Sequence, residues 1–179
     1  MSNNSMNFTG KNTLTDAEFS QYYEQLWEKT PHEKPSKEEI AERKREGAKR
    51  YNSEEGSLPG EEWCDLPGYS HYSISTMGRV KYNDTIVQQD DAKKTGYLKL
   101  DVDKKLKVDH SVKVYTLVAK AFLGKKEGDG YDVHHIDNNG YDNRPENLIL
   151  LTRTQHNAVH RDEKMSQEGL KAFFEQTEL

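Results

Sequence analysis

The stretch from Val133 to His160 constrains this chain most, because its pattern predicts one small supersecondary unit. Two short apolar runs that suit strands flank a loop rich in asparagine, aspartate and glycine. Thr152 with Gln155 then forms a capping-box pattern that predicts the start of a helix. The predicted parts are a strand at 133–136, a loop at 137–144, a strand at 147–151 and a helix from 153 to about 164.

Four of the seven histidines of the chain lie within this unit. His134 and His135 are neighbours in a predicted strand, so their side chains should project to opposite faces. His156 and His160 are four apart in a predicted helix, so they should share a face. We therefore predict that His134, His156 and His160 bind one metal ion, while His135 stays unligated.

This division of roles suits hydrolysis of a phosphodiester. A divalent cation can stabilise charge on phosphate oxygens, and a neutral imidazole with a pKa near ~6.5 can take a proton from water. His135 is the predicted general base, and the amide of Asn147 is predicted to fix its surroundings across the loop. Since Cys64 is the only cysteine, the metal must lie on nitrogen and oxygen. Candidate phosphate contacts near the metal are Arg144, Arg153 and Arg161.

The same stretch resembles the ββα-metal finger of HNH endonucleases of the phage and intron homing type. The resemblance rests on Val133-His-His-Ile-Asp-Asn-Asn, Asn143-Arg-Pro-Glu-Asn-Leu148 and Gln155-His-Asn-Ala-Val-His160. It implies that His134 and His156 are metal ligands, His135 the general base and Asn147 the loop-orienting residue. His160 matches an extra helix histidine of some bacterial-toxin HNH nucleases. The implied cofactor is one divalent ion (Mg, Mn, Zn or Ni), and the implied substrate is double-stranded DNA.

The preceding stretch resembles a NUMOD-type nuclease-associated module. The matching residues are Glu62-Trp63, Leu66-Pro-Gly-Tyr69, Tyr72-Ser-Ile-Ser75, Gly78-Arg-Val80, Gly96-Tyr-Leu98 and Leu117-Val-Ala-Lys-Ala-Phe122. Alternating apolar residues here predict a small sheet, and the spacing over 112–122 predicts a helix. The resemblance implies a role in contacting DNA, with phosphate contacts predicted at Arg79, Lys81, Lys104, Lys105 and Lys107. The alternative for the lysines is an ordinary solvated hairpin.

Residues 1–58 match no pattern that we identify with a family. The first ten residues are polar and predict a disordered start. Capping-box patterns at Thr15 with Glu18 and at Ser36 with Glu39 predict two helices. The run EEIAERKREGAKRY in the second is charged on nearly every face, which suits a solvated helix or a basic helix lying along DNA. This region is also the candidate surface for a protein partner.

Composition limits the overall architecture. Hydrophobic and charged residues each make up 32% of the chain, which favours small modules over one large core. The predicted class is α+β, with a charged helical extension at 1–58, a sheet-bearing module at 59–129, the HNH unit at 130–165 and a tail helix at 166–179. Neither a membrane span nor a secretory signal is visible, and the resemblance implies a phage-encoded protein in the cytoplasm of a bacterial host.

The charge balance leaves the partner class open. A net charge of −5 counts against nucleic-acid binding, but residues 61–130 carry 12 basic and 11 acidic side chains. One alternative to a nuclease is a non-catalytic DNA-binding protein with a structural metal on the same histidines. Another is an interaction factor that acts through residues 1–58 and has an inactive HNH unit.

Overall fold

A computed structural model describes residues 13–53, 58–66, 68–89, 96–101 and 111–177. These residues form a mixed arrangement of helices and short sheets, so the predicted α+β class is confirmed. No helix in this part of the chain is both long and apolar enough to cross a membrane. The helices are α1 (Asp16–Lys29), α2 (Lys37–Tyr51), α3 (Val114–Phe122), α4 (Arg153–Val159) and α5 (Gln167–Thr177). The strands are β1 (Trp63–Asp65), β2 (Tyr72–Ser75), β3 (Val80–Tyr82), β4 (Thr85–Ile86), β5 (Lys99–Asp101), β6 (Ser111–Lys113), β7 (Tyr131–His135) and β8 (Leu148–Thr152).

Helix starts follow the predicted capping boxes. In α1, α2 and α4 the hydroxyl of the N-cap residue accepts a hydrogen bond from the backbone N–H three residues on. The predicted end of α4 at about residue 164 is wrong, because the helix ends at Val159 and His160 caps it. Residues 161–164 are all charged, so they offer no apolar side chain to continue the buried face. Likewise α3 begins at Val114, since residues 111–113 pair in a sheet.

The strands of the described residues form three small antiparallel sheets. Strands β1 to β4 form a meander in sequence order, β5 pairs with β6, and β7 pairs with β8. A 3₁₀ turn, Pro145–Asn147, leads into β8, so Asn147 precedes the strand in which it was predicted. The predicted disordered start at 1–10 and the lysine-rich hairpin tip at 104–107 lie outside the described residues.

Strand β8 has two buried faces, and each belongs to a different core. Leu148 and Leu150 pack with the β1–β4 sheet and α3. Ile149 and Leu151 pack with α1, α4 and α5. Because side chains alternate along a strand, the uninterrupted apolar run of β8 supplies both cores at once.

The N-terminal helices contribute side chains to these cores. Helix formation in this region is confirmed, and α1 buries Phe19, Tyr23 and Leu26 against α4 and α5. Helix α2 is mostly exposed, yet its last residue, Tyr51, is completely buried in the other core. The predicted tail helix is also present, and Leu170 is buried in the same core as Phe19.

Candidate active site

Strand β7 presents its two histidines to opposite sides. In the β7–β8 pair His134 lies across from Ile149, and His135 lies across from Leu148. Since directly paired residues share a face, His134 lies on the α1 and α4 side, and His135 lies on the side of the preceding module. The structure therefore separates the two neighbours as strand geometry requires.

Three imidazoles converge on the α4 side of β7. One ring nitrogen from each of His134, His156 and His160 lies within 4.8 Å of the other two. His134 is buried, His156 is half-buried on α4, and His160 is exposed at the end of that helix. We refer to these residues as the histidine cluster.

The environment of the histidine cluster keeps its rings neutral. Burial, followed by the charges of His160 and His156, holds the pKa of His134 well below its usual value. Burial also lowers the pKa of His156 and of His160. Neutral imidazoles have the free lone pair that a metal needs, and a set of three nitrogen donors suits zinc, nickel or another first-row divalent ion. The residues present therefore fit the divalent metal that the sequence predicts.

Asp132, for which no role was predicted from the sequence, adjoins the histidine cluster. Asp132 Oδ2 lies 3.5 Å from Nδ1 of His156 and 3.2 Å from Nε of Arg153. A carboxylate beside Nδ1 favours the tautomer with its proton there, which leaves Nε2 of His156 to bind a metal.

On the other side of β7, His135 is held by an amide. Its Nε2 lies 3.1 Å from Oδ1 of Asn143, which can only accept a hydrogen bond. Nε2 therefore carries the ring proton, and Nδ1 has the free lone pair. Burial lowers the pKa of His135 despite this hydrogen bond, so the ring is neutral near pH 7. The rings of Tyr97 and Tyr115 pack beside it, with centroids 5.8 and 5.1 Å away.

Asn147 closes the loop between β7 and β8. Its Nδ2 donates to Oδ1 of Asp137 at 2.8 Å and to the carbonyl of Asp142 at 2.9 Å. Its Oδ1 accepts from the backbone N–H of Asp137 at 3.2 Å. These bonds tie the segment after His135 to the start of β8, so the side chain spans the loop.

Tyr51 supports the same loop from α2. Its hydroxyl accepts a 2.8 Å bond from the backbone N–H of Asn143, the residue that holds His135. Tyr51→Phe leaves that buried N–H without a partner, so we expect the free energy of unfolding to fall by about 1–3 kcal/mol. Urea denaturation checks this, and Tyr82→Phe, at an exposed ring, serves as the control. Equal midpoints for the two variants would contradict the prediction.

A cleft of about 520 Å³ is lined by the histidine cluster and also by His135. Helix α2 contributes Ile40 and Arg43 to one part of its lining, and Lys113 and Tyr115 contribute to another. No role was predicted from the sequence for these four residues or for Asn143. They lie near the histidines only through contacts between segments that are distant in the chain. Asn143 did lie in the string that resembles HNH endonucleases, and Arg43 in the basic run of α2, but neither pattern indicated a contact with a histidine.

The predicted phosphate contacts in the module have different outcomes. Arg79 is a correction: its side chain is fully buried and pairs with Glu61 at 3.1 Å, so a phosphate cannot reach it. Lys81 is half-buried, with its ammonium 3.9 Å from the centroid of the Trp63 ring. Three further predicted contacts, Lys104, Lys105 and Lys107, lie outside the described residues.

The three arginines predicted near the metal also differ in setting. Arg153 lines the cleft and its side chain is 74% exposed. Arg144 makes ion pairs with Asp142 at 2.6 Å and with Glu146 at 3.2 Å. The Arg161 guanidinium lies over the Phe173 ring at 5.6 Å. Of the three, Arg153 lines the cleft together with the histidine cluster.

Comparison with known families agrees with this geometry. Residues 112–158 match the family described as HNH endonuclease. Residues 61–103 match the NUMOD4 motif. Along the chain the NUMOD4 match is therefore followed by the HNH match, and we refer to residues 112–158 as the HNH segment. The resemblance predicted from the sequence is thereby confirmed, and the HNH match begins at residue 112, so it includes α3.

Two individual proteins are similar to this chain. An uncharacterized HNH endonuclease of Acanthamoeba polyphaga mimivirus is 29% identical over 103 residues, which are 56% of this chain and 26% of the relative. The chain thus matches about a quarter of that relative's length. A solved structure described as DNA binding and cleavage by the HNH homing endonuclease I-HmuI is 26% identical, with a TM-score of 0.47 over 65% of this chain and 68% of the other.

Proposed function

We propose that this protein is a metal-dependent endonuclease that hydrolyses phosphodiester bonds of double-stranded DNA. The observation that carries the proposal is the convergence of three imidazoles within 4.8 Å in a cleft that His135 also lines. The HNH segment and the NUMOD4 motif support the same class of reaction.

His134, His156 and His160 would hold the metal. When bound, a divalent ion supplies stabilisation of negative charge on the phosphate and on the leaving 3′ oxygen. These residues leave His135 outside the metal's ligand set, because it lies on the other face of β7.

His135 acts as the general base. Asn143 Oδ1 accepts the hydrogen bond from Nε2–H, so Nδ1 has the free lone pair that takes a proton from the attacking water. The water oxygen forms the new bond to phosphorus, the bond from phosphorus to the 3′ oxygen breaks, and that oxygen takes a proton from a solvent water, while His135 returns its proton to solvent. The products are a 5′-phosphate and a 3′-hydroxyl. Asn147 holds the loop after His135 in place throughout.

Basic residues around the cleft hold the DNA backbone. Arg43, Lys113 and Arg153 all line the cleft and are suited to contact phosphates. Lys81, Arg144 and Arg161 lie outside the cleft lining and are candidates for more distant phosphates. Helices α1 and α2 contribute to the two cores, so they are then a component of the nuclease and not primarily a surface for a protein partner.

Incubation with supercoiled plasmid tests the proposal. We expect nicked or linear DNA with at least one of magnesium, manganese, nickel and zinc, and no product when EDTA is added. Salt-dependent DNA binding without cleavage under any metal would overturn the proposal in favour of a DNA-binding protein with a structural metal. Intact supercoiled DNA, together with no binding of the protein to DNA, would favour the alternative of an interaction factor with an inactive HNH unit.

A further inference from the structure

Thr30 lies against the histidine cluster although it belongs to the N-terminal region. It is the C-cap of α1, and its backbone N–H donates to the carbonyl of Leu26 at 3.1 Å. The side chain is 1% exposed. Its Oγ1 lies 3.1 Å from Nε2 of His134 and 3.0 Å from the carbonyl oxygen of Ile136.

The single hydroxyl proton of Thr30 decides the direction of both bonds. The carbonyl of Ile136 can only accept, so the hydroxyl must donate its proton there. Oγ1 can then only accept from His134, which requires the ring proton of His134 to be on Nε2. The other ring nitrogen, Nδ1, is left with a free lone pair.

We infer that Thr30 is a positioning residue for the metal site, which holds His134 in the Nε2–H tautomer and directs Nδ1 to the metal. This inference rests on the proposed function in assigning His134 as a ligand. The general reason is that a metal-binding imidazole whose second nitrogen has a fixed partner loses less orientational freedom on binding. The partner of His134 Nε2 comes from outside the HNH segment, because Thr30 precedes His134 by 104 residues.

The position of Thr30 depends on α1 and on the loop after β7. Burial of Phe19, Tyr23 and Leu26 holds α1 in place, and Thr30 caps the C-terminus of that helix. The carbonyl of the next residue, Pro31, accepts from Nδ2 of Asn138 at 3.0 Å. The packing of α1 against α4 and α5 therefore positions Thr30, and Thr30 in turn orients His134.

The first test measures the tautomer in the metal-free wild-type protein. Long-range ¹H–¹⁵N correlation of the imidazole rings, assigned with a His134→Asn variant, should show the proton of His134 on Nε2 and a free lone pair on Nδ1. A proton on Nδ1 would overturn the inference, whatever the protein does to DNA.

The second test measures zinc binding alone by titration calorimetry. Thr30→Val keeps the shape of the side chain but removes the hydroxyl, and we expect its zinc affinity to fall by about 10–100-fold. Thr30→Ser restores the hydroxyl and should bind within a few-fold of wild type. Thr116→Val is the matched control, because Thr116 also donates to a carbonyl, that of Lys113 at 2.7 Å, away from the cluster.

The outcomes separate this inference from the proposed function. A purely structural role for Thr30 would lower the melting temperature of Thr30→Val and leave its zinc affinity at the wild-type value, which overturns the inference. Weaker zinc binding by Thr30→Val in a protein that cleaves no DNA would support the inference while the proposed function fails. Should Thr30→Val not fold, the tautomer measurement on wild type decides.

Discussion

His135→Ala should reduce DNA cleavage by about 10²–10⁴-fold while metal affinity stays at the wild-type value. The loss follows because Nδ1 of His135 is the proton acceptor in the proposed reaction. Metal affinity is spared because the ring lies on the opposite face of β7 from the histidine cluster. Plasmid cleavage under a saturating metal concentration measures the first quantity, and titration calorimetry measures the second.

His156→Ala provides the complementary variant. It removes one donor from the histidine cluster, so it should lose most of its metal affinity and recover cleavage only at raised metal concentration. His71→Asn is the control, because His71 is exposed outside the cleft and has a φ of 69° that asparagine tolerates. Weakened metal binding by His135→Ala together with normal binding by His156→Ala would reverse the proposed roles.

Removal of His135 also affects stability, which the experiment must separate from catalysis. The Asn143 Oδ1 that it contacts is buried, so the alanine variant leaves an unpaired acceptor at a cost of about 1–3 kcal/mol. Circular dichroism at the assay temperature shows whether the variant is folded. A folded His135→Ala protein that cleaves like wild type would contradict the assignment of His135 as general base.

The histidine arrangement could be predicted from the sequence because it depends on local periodicity. Neighbours on a strand diverge, and residues four apart near a helix share a side, whatever the rest of the chain does. The partners of those histidines could not be predicted in the same way. Thr30 reaches His134 only because α1 packs against α4, and no local pattern records that contact.

Arg79 illustrates a different limit of sequence reasoning. Arginine is usually exposed, so a basic residue in a DNA-associated motif is naturally interpreted as a phosphate contact. Its burial depends on Glu61, 18 residues away, which supplies the opposite charge inside the protein. A buried charge is tolerated only when it is paired, and sequence alone does not reveal the pairing.

The packing of α1 into the core did have a signal in the sequence. The run Leu148-Ile-Leu-Leu151 is apolar without alternation, which is typical of a strand buried on both faces. Such a strand needs a second covering layer, and the apolar stripe of α1, which includes Phe19, Tyr23 and Leu26, was available to provide it. The charged residues of α2 instead indicated a solvated helix or a helix lying along DNA.

Phe19→Ala should lower the free energy of unfolding of the protein by roughly 3–5 kcal/mol. Phe19 is 0% exposed, and its ring contacts those of Tyr23 and Phe174 at centroid distances of 5.7 and 5.8 Å. The substitution therefore creates a cavity between α1 and α5 in the core that β8 also lines. Urea denaturation followed by far-UV circular dichroism measures the change, and Gln25→Ala, at an exposed position on α1, is the control.

The shape of the urea unfolding transition of Phe19→Ala tests whether α1 is packed in the core, in addition to how much it stabilises the protein. If α1 is part of the nuclease core, Phe19→Ala shifts one cooperative transition, and metal affinity falls at denaturant concentrations where wild type still binds. If residues 1–58 were a separate extension, α1 would unfold alone, and the HNH segment would keep its midpoint and its metal. The second result would contradict the packing of α1 and, with it, the route by which Thr30 reaches His134.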